Sequence, residues 1–147
     1  MNNIKVNYIK LTPEAKEPVY GTEFAAGADL FSADNDTVIS PGETAFIHTG
    51  LALEIPEGLS GLIYARSGLA CKKGLAPANK VGVIDSDYRG EIIVALHNHS
   101  DEPVQIMKHD RIAQIIFTPY YFADFTQQNV LEDTKRGAGG FGSTGSN

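Results

Sequence analysis

Apolar and polar residues alternate with a period of two along most of the chain, which is the signature of half-buried β-strands. Ile4-Lys5-Val6-Asn7-Tyr8 opens the series, and Thr37-Val38-Ile39, Leu51 to Ile55, Leu62 to Ala65, Val104 to Met107 and Arg111 to Phe117 continue it. Turn residues punctuate the runs: Pro13, Pro18 and Gly21 form a loop, Ser40-Pro41-Gly42-Glu43 closes one strand, Pro56-Glu57-Gly58 closes the next, and Lys108-His109-Asp110 separates the last two. Short strands at this spacing predict an all-β sandwich, barrel or jelly roll. The one helical candidate is Ser67 to Gly74, two turns at most, with Ser67 placed to cap its start and Gly74 where a C-terminal glycine belongs.

Five stretches do not fit a plain strand-and-turn reading. Val81 to Ile84 runs into Asp85-Ser86-Asp87-Tyr88-Arg89-Gly90 and on into a second β-rich run, Glu91 to Leu96, which predicts a hairpin with chemical groups at its tip. Asp and Ser at such a point also serve as ordinary turn formers. Asp29 sits among small residues in Ala26-Gly27-Ala28-Asp29-Leu30, either a bulged edge or a close backbone approach. Arg66 precedes the short helix, so a guanidinium, a hydroxyl and free backbone N–H groups come together in the composition of an anion site, or of a capped connector with a surface arginine.

Gln114 interrupts an apolar run, and alternation puts it on one face with Ile112 and Ile116. A buried amide must find a partner, either the core's own backbone or a ligand. The tail from Lys135 to Asn147 holds five glycines with Arg136, Phe141, Ser143 and Thr144. Glycine content reads as a flexible end, whereas the arginine, the lone ring and the hydroxyls read as an arm that orders over a nucleotide. His97-Asn98-His99 reads as part of a solvated polar loop, since no further ligand cluster accompanies the two imidazoles.

Composition narrows the picture. The 147 residues fit one domain with an ordinary globular balance, 42% hydrophobic and 20% charged, and no apolar run has the roughly 20 residues of a membrane span. Met1-Asn2-Asn3-Ile4-Lys5 lacks a signal peptide's apolar core, and the lone Cys71 excludes an internal disulfide, so a cytoplasmic or otherwise intracellular setting is expected. Twelve Lys and Arg against 18 Asp and Glu, net −6, argue against a nucleic-acid partner. A small anion stays compatible with this charge if a few cations converge on it or a divalent metal accompanies it.

Taken in order, Ala26-Gly27-Ala28-Asp29-Leu30, Arg66-Ser67-Gly68-Leu69-Ala70, Gly82 to Gly90, Asp110-Arg111-Ile112-Ala113-Gln114, and Arg136-Gly137 through Gly139-Gly140-Phe141-Gly142-Ser143-Thr144-Gly145 resemble the five motifs of the trimeric deoxyuridine triphosphate diphosphatases, the dUTPases. The resemblance spans about Ala25 to Gly145. It implies a jelly-roll-like distorted β-barrel subunit, residues 1–134, with one short helix and a C-terminal arm, residues 135–147, in a homotrimer whose active sites are shared. It also implies hydrolysis of dUTP to dUMP and diphosphate with Mg2+, which limits uracil in DNA and supplies dUMP for thymidylate synthesis.

The residue roles it implies follow the motifs. Asp85 activates the water that attacks the α-phosphorus. Tyr88 lies against the deoxyribose and leaves no room for a 2′-hydroxyl, while Asn79 and the backbone at Val83 meet uracil. Arg66, Ser67 and Gly68 hold phosphate oxygens, and Gln114 reaches the α-phosphate. Arg136 and Ser143 close on the terminal phosphates, with Phe141 and Gly142 over the base. The metal rides on phosphate oxygens and waters with no direct protein ligand, and Asp29 supports those waters or the arm. Ala28 and Ala65 depart from the family's usual larger residue and proline, without removing a chemical group. The rival readings are a dCTP deaminase-like enzyme of the same fold and a non-catalytic nucleotide-binding or interaction protein.

Overall fold

The computed structural model describes residues 3–140, and within them eleven strands and one helix. The strands are β1 Asn7–Lys10, β2 Val19–Tyr20, β3 Ala28–Phe31, β4 Thr37–Ile39, β5 Thr44–Glu54, β6 Leu59–Tyr64, β7 Leu75–Pro77, β8 Gly82–Ile84, β9 Glu91–Asn98, β10 Val104–Ile106 and β11 Arg111–Pro119, and α1 is Ser67–Lys73. All pairings are antiparallel. One sheet runs β1-β5-β9-β7, a second runs β2-β3-β11-β6-β8, and β10 pairs with β4. The fold is a jelly roll. Ile, Leu and Val from both large sheets meet between them, among them Leu30, Ile63, Ile112 and Ile115 from one sheet and Ile47, Leu53, Ile92 and Leu96 from the other.

Several expectations change. Strand β1 lies at Asn7–Lys10, three residues later than the alternation starting at Ile4 suggested, and all four of its residues are exposed. The run at Leu51 is the end of an 11-residue strand, β5. Strands β8 and β9 do not form a hairpin: β8 pairs with β6 in one sheet, and β9 lies between β5 and β7 in the other. The Asp85 to Gly90 segment is therefore the crossing between two sheets. Two β-runs around a glycine turn look the same in sequence whether they pair with each other or with distant strands.

At α1 the cap position is Arg66, extended at φ −85° and ψ 129°, with no side-chain cap, so Ser67 is the first helical residue and not its cap. Gly74 does end the helix in the left-handed region at φ 69°. The polar loop at His97 to Glu102 is not simply solvated. Asn98 is fully buried, its amide donating to the carbonyls of Ile39 and Glu102 while its Oδ1 accepts from Ser100 N–H and Oγ–H.

Among the described residues the last strand ends at Pro119, and residues 120–140 contain no strand or helix. Along this stretch Tyr121, Phe122 and Phe125 are each more than nine-tenths exposed. Among the described residues no helix is long and apolar enough to cross a membrane.

Candidate active site

The register of the five-stranded sheet brings together three of the expected residues, Asp29, Arg66 and Gln114. Strand β11 carries a register shift between Arg111 and Ala113, which resets its parity so that Gln114 pairs with Asp29 on β3 and with Tyr64 on β6. Directly paired residues share a face of an antiparallel sheet. Asp29, Gln114 and Tyr64 thus form one row, with Arg66 two residues beyond Tyr64. The same shift overturns the simple alternation, since Ile112 is fully buried with Ala113 whereas Gln114 and Ile116 are half-buried.

Asp29 is the hub of this row. Arg66 Nε–H donates to its Oδ1 at 2.7 Å, and Arg111 Nε lies 3.4 Å from its Oδ2. The Asp29 side chain is largely buried, 12% exposed, while the Arg66 and Arg111 side chains are 31% and 51% exposed, so the guanidiniums are anchored at one edge and open at the other. Gln114 Nε2 donates to the carbonyl of Ala65 at 2.9 Å, which gives the amide a backbone partner. Its Oε1 lies so close to Gly27 that a Cβ there would stand 2.5 Å away, which accounts for the glycine of the small-residue motif.

Arg66 and Gly68 line a cleft of about 550 Å3 with Lys16, Phe31, Leu69, Lys73, His109, Asp110 and Arg111. Lys16 and Arg111 both stand over the Phe31 ring, at 5.5 and 5.9 Å from its centre. Four Lys or Arg side chains with a single lining carboxylate make a locally cationic surface on a protein of net charge −6. Such a surface suits a polyanion. Sequence reasoning missed Arg111 and Lys16. Arg111 sits inside the motif quoted for Gln114, but its convergence on Asp29 depends on the β3–β11 register.

The remaining residues lie elsewhere on the chain. Asn79 and Val83 line a cleft of about 360 Å3 with Phe46, Ile63, Ile84 and Ile93. Asp85 is exposed and borders a broader cavity of about 930 Å3 shared with Ser60, Ser86, Asp87, Arg89 and the aromatic residues Tyr120, Tyr121, Phe122 and Phe125. Tyr88 N–H donates to the Asp85 carbonyl at 3.2 Å to close the turn, and Tyr88 Oη–H donates to the Glu91 carbonyl at 3.0 Å. Arg89 folds back on the same turn through the carbonyls of Ser86 and Tyr88. Ser67 is exposed at the start of α1. Arg136 Nε–H donates to the Gly139 carbonyl at 2.9 Å within its own exposed turn. Phe141, Gly142 and Ser143 lie outside the described residues.

Two of these groups are far apart on one chain. Ile84 pairs with Gly61, which sets the next residue, Asp85, alongside Ser60, whereas Arg66 lies six residues farther along β6 and its extension. At the rise of a strand this separates them by roughly 20 Å.

A profile of the dUTPase family matches residues 13–145. The chain belongs to the dUTPase family. A deoxyuridine 5'-triphosphate nucleotidohydrolase from Desulfitobacterium hafniense (strain DSM 10664 / DCB-2) is 51% identical over 149 aligned positions, covering 99% of each chain. Among solved structures, the dUTPase of Staphylococcus bacteriophage 80alpha with dUPNHPP superposes with a TM-score of 0.90 at 29% identity, over 98% of this chain and 100% of that one. A mutant dUTPase from phage phi11 of S. aureus, solved for the coordination of a structural Mg(II) ion, superposes at 0.78 with 27% identity, over 88% of this chain and 100% of that one. The family and the names of these relatives support dUTP hydrolysis and do not favour the dCTP deaminase-like alternative.

Proposed function

We propose that the chain hydrolyses dUTP to dUMP and diphosphate by water attack at the α-phosphorus, in a homotrimer whose sites draw on more than one subunit. The observation that carries this is the convergence of Asp29, Arg66, Arg111 and Gln114 on one cationic face in a chain of the dUTPase family. Arg66, Ser67 and Gly68 take phosphate oxygens there. Gln114, with one amide hydrogen committed to Ala65, turns its other toward the α-phosphate. Asp29 fixes the Arg66 guanidinium before substrate arrives, so less ordering is left to binding.

Asp85 orients the attacking water and accepts its proton, a task that needs an exposed carboxylate within hydrogen-bond reach of that water. Tyr88 forms the sugar wall, and Asn79 with the Val83 backbone reads uracil. The separation of about 20 Å between Asp85 and Arg66 along β6 supports a shared site, because one triphosphate cannot bridge both on the same chain. The exposed rings at 121–125 support a segment that is covered by another subunit, since apolar surface of this extent is otherwise left in water. The arm, residues 135–147, brings Arg136, Phe141, Gly142 and Ser143 over the nucleotide.

Among the described residues no three carboxylate, imidazole or thiol groups converge. Mg2+ usually takes one or two carboxylates together with waters and substrate phosphates. Mg2+, when bound, would be held by substrate phosphates and waters and would neutralise phosphate charge. Both Asp29 oxygens already face arginines, so its part is to hold Arg66.

The test is product analysis with dUTP, UTP, dTTP and dCTP in the presence of Mg2+. Diphosphate from dUTP alone is the expected result. Ammonia from dCTP, or no turnover of any of the four, would overturn the reading.

A further inference from the structure

Strand β5 contains a β-bulge whose repair reaches the Tyr88 turn. The β5–β9 register shifts between His48, paired with Ile93, and Ala52, paired with Glu91, leaving extra residues on β5. Gly50 turns the chain there at φ 67°, and a Cβ would collide with the side chains of Thr12 and Ala15. A bulge takes backbone groups out of the ladder, and buried ones need other partners. Thr49 Oγ–H donates to the Ile92 carbonyl at 2.6 Å, and the Glu91 carboxylate accepts the Gly50 N–H on Oε1 at 2.8 Å.

The other Glu91 oxygen, Oε2, meets His48 Nδ1 at 2.8 Å, so both oxygens of one carboxylate are pinned to β5. The backbone carbonyl of this same residue accepts Tyr88 Oη–H. The Tyr88 ring lies over Gly90, where a Cβ would overlap the phenol oxygen and ring carbons. From the ring, the chain of contacts therefore runs through the Glu91 carbonyl and Glu91 side chain to the bulge.

From this geometry we infer that Glu91 is a positioning residue for Tyr88 and, through it, a determinant of discrimination between deoxyribose and ribose. The inference rests on the reading of Tyr88 as the sugar wall. A ring that excludes one oxygen atom must be held to within a fraction of its width, and rigid support behind a site is what holds such a group. Tyr88 is 44% exposed, so packing alone does not fix it. Its hydroxyl anchor is only as fixed as the carbonyl it meets, and that carbonyl belongs to the residue clamped by His48 and Gly50.

The test compares kcat/KM for dUTP and UTP, with Mg2+, in the full-length protein. Glu91→Ala is expected to lower the dUTP/UTP ratio about tenfold or more through KM, with kcat on dUTP within about threefold. Tyr88→Phe, which keeps the ring and loses the anchor, is expected to lower it similarly, and Glu91→Ala in that background to add less than about twofold. Glu91→Gln, which preserves length and an acceptor for Gly50, is expected to recover most of the ratio.

Because Glu91→Ala also strands the Gly50 N–H, Glu91→Asp and His48→Ala serve as milder variants, each expected to lower the ratio about threefold. An unchanged ratio in both of these, with Tyr88→Ala still losing discrimination, would overturn the role of Glu91 and leave the Tyr88 reading intact. An unchanged ratio in Tyr88→Ala itself would overturn both.

Discussion

Asp29 and Arg66, thirty-seven residues apart, meet through a 2.7 Å bond from the arginine Nε–H to the carboxylate Oδ1. The contact makes Asp29 the anchor of the Arg66 guanidinium, which we propose takes phosphate oxygens. Replacing Asp29 with Asn leaves Arg66 and Arg111 facing an uncharged amide. A partly buried charge-assisted bond contributes about 1.5–3 kcal/mol. The expected outcome is a loss of stability at the lower end of that range, because Arg66 is nearly a third exposed, with KM for dUTP raised about tenfold. Unchanged KM in steady-state assays would remove Asp29 from this role.

Gly27→Ala tests the packing behind Gln114. The new Cβ would stand 2.5 Å from Gln114 Oε1 and 3.2 Å from its Cβ and Cδ, and the amide is the part free to move. Activity should fall more than stability: kcat/KM by about tenfold, with a drop in Tm of only a few degrees, since about 1 kcal/mol shifts Tm by several degrees in a domain of this size. Thermal denaturation read beside kinetics separates the two effects.

Asp85→Asn should still bind a non-hydrolysable dUTP analogue while turnover falls by about a hundredfold or more, the usual scale for removing a general base. Mixing this variant with Arg66→Ala after dissociation and reassembly should restore part of the activity. In the proposed homotrimer with shared sites, mixed trimers would contain some sites with both groups intact, in keeping with the separation of about 20 Å along β6. A mixture no more active than its components would place both groups in a single-chain site.

Truncation before Arg136 removes the proposed arm, and among the described residues the last strand ends at Pro119. The shortened protein should give an unchanged circular dichroism spectrum with dUTP turnover reduced at least tenfold. Full turnover would show the glycine-rich tail to be a plain chain end.

The His48–Glu91 contact carries a pH signature. The hydrogen bond from the imidazolium to Glu91, reinforced by the charges of Glu91 and Asp34 and only partly offset by burial, raises the His48 pKa above its ordinary 6.5. A histidine whose folded pKa is raised adds stability that is fully present below the unfolded value and is lost as pH climbs through the folded one. His48→Ala should therefore reduce Tm more at about pH 5.5 than at about pH 9. An equal reduction at both would show that the contact holds without the charge.

Sequence alternation placed most of the strands, because side-chain period reports which face of an element is apolar, and the residues at its ends placed the short helix. It could not show that β8 and β9 belong to different sheets. It also erred at Gln114, since one extra residue in β11 resets parity and nothing in Arg111-Ile112-Ala113 marks the shift. Gly27 was legible as a close approach, but not that the approaching group is Gln114. Arg111 and Glu91 were passed over because an exposed arginine and a strand-initial glutamate have no local feature that sets them apart.

By itself, then, the chain's order of residues determined the all-β class, the turn positions and the inventory of chemical groups, and its motifs determined the family. Which groups meet was decided only in three dimensions. Asp29 reaches Arg66 and Gln114 through the β3–β11–β6 register, and Glu91 reaches His48 through a bulge in β5. Asp85 is carried away from Arg66 along the length of β6. Strand pairing is a long-range choice set by the packing of whole sheets, and local pattern carries no record of it.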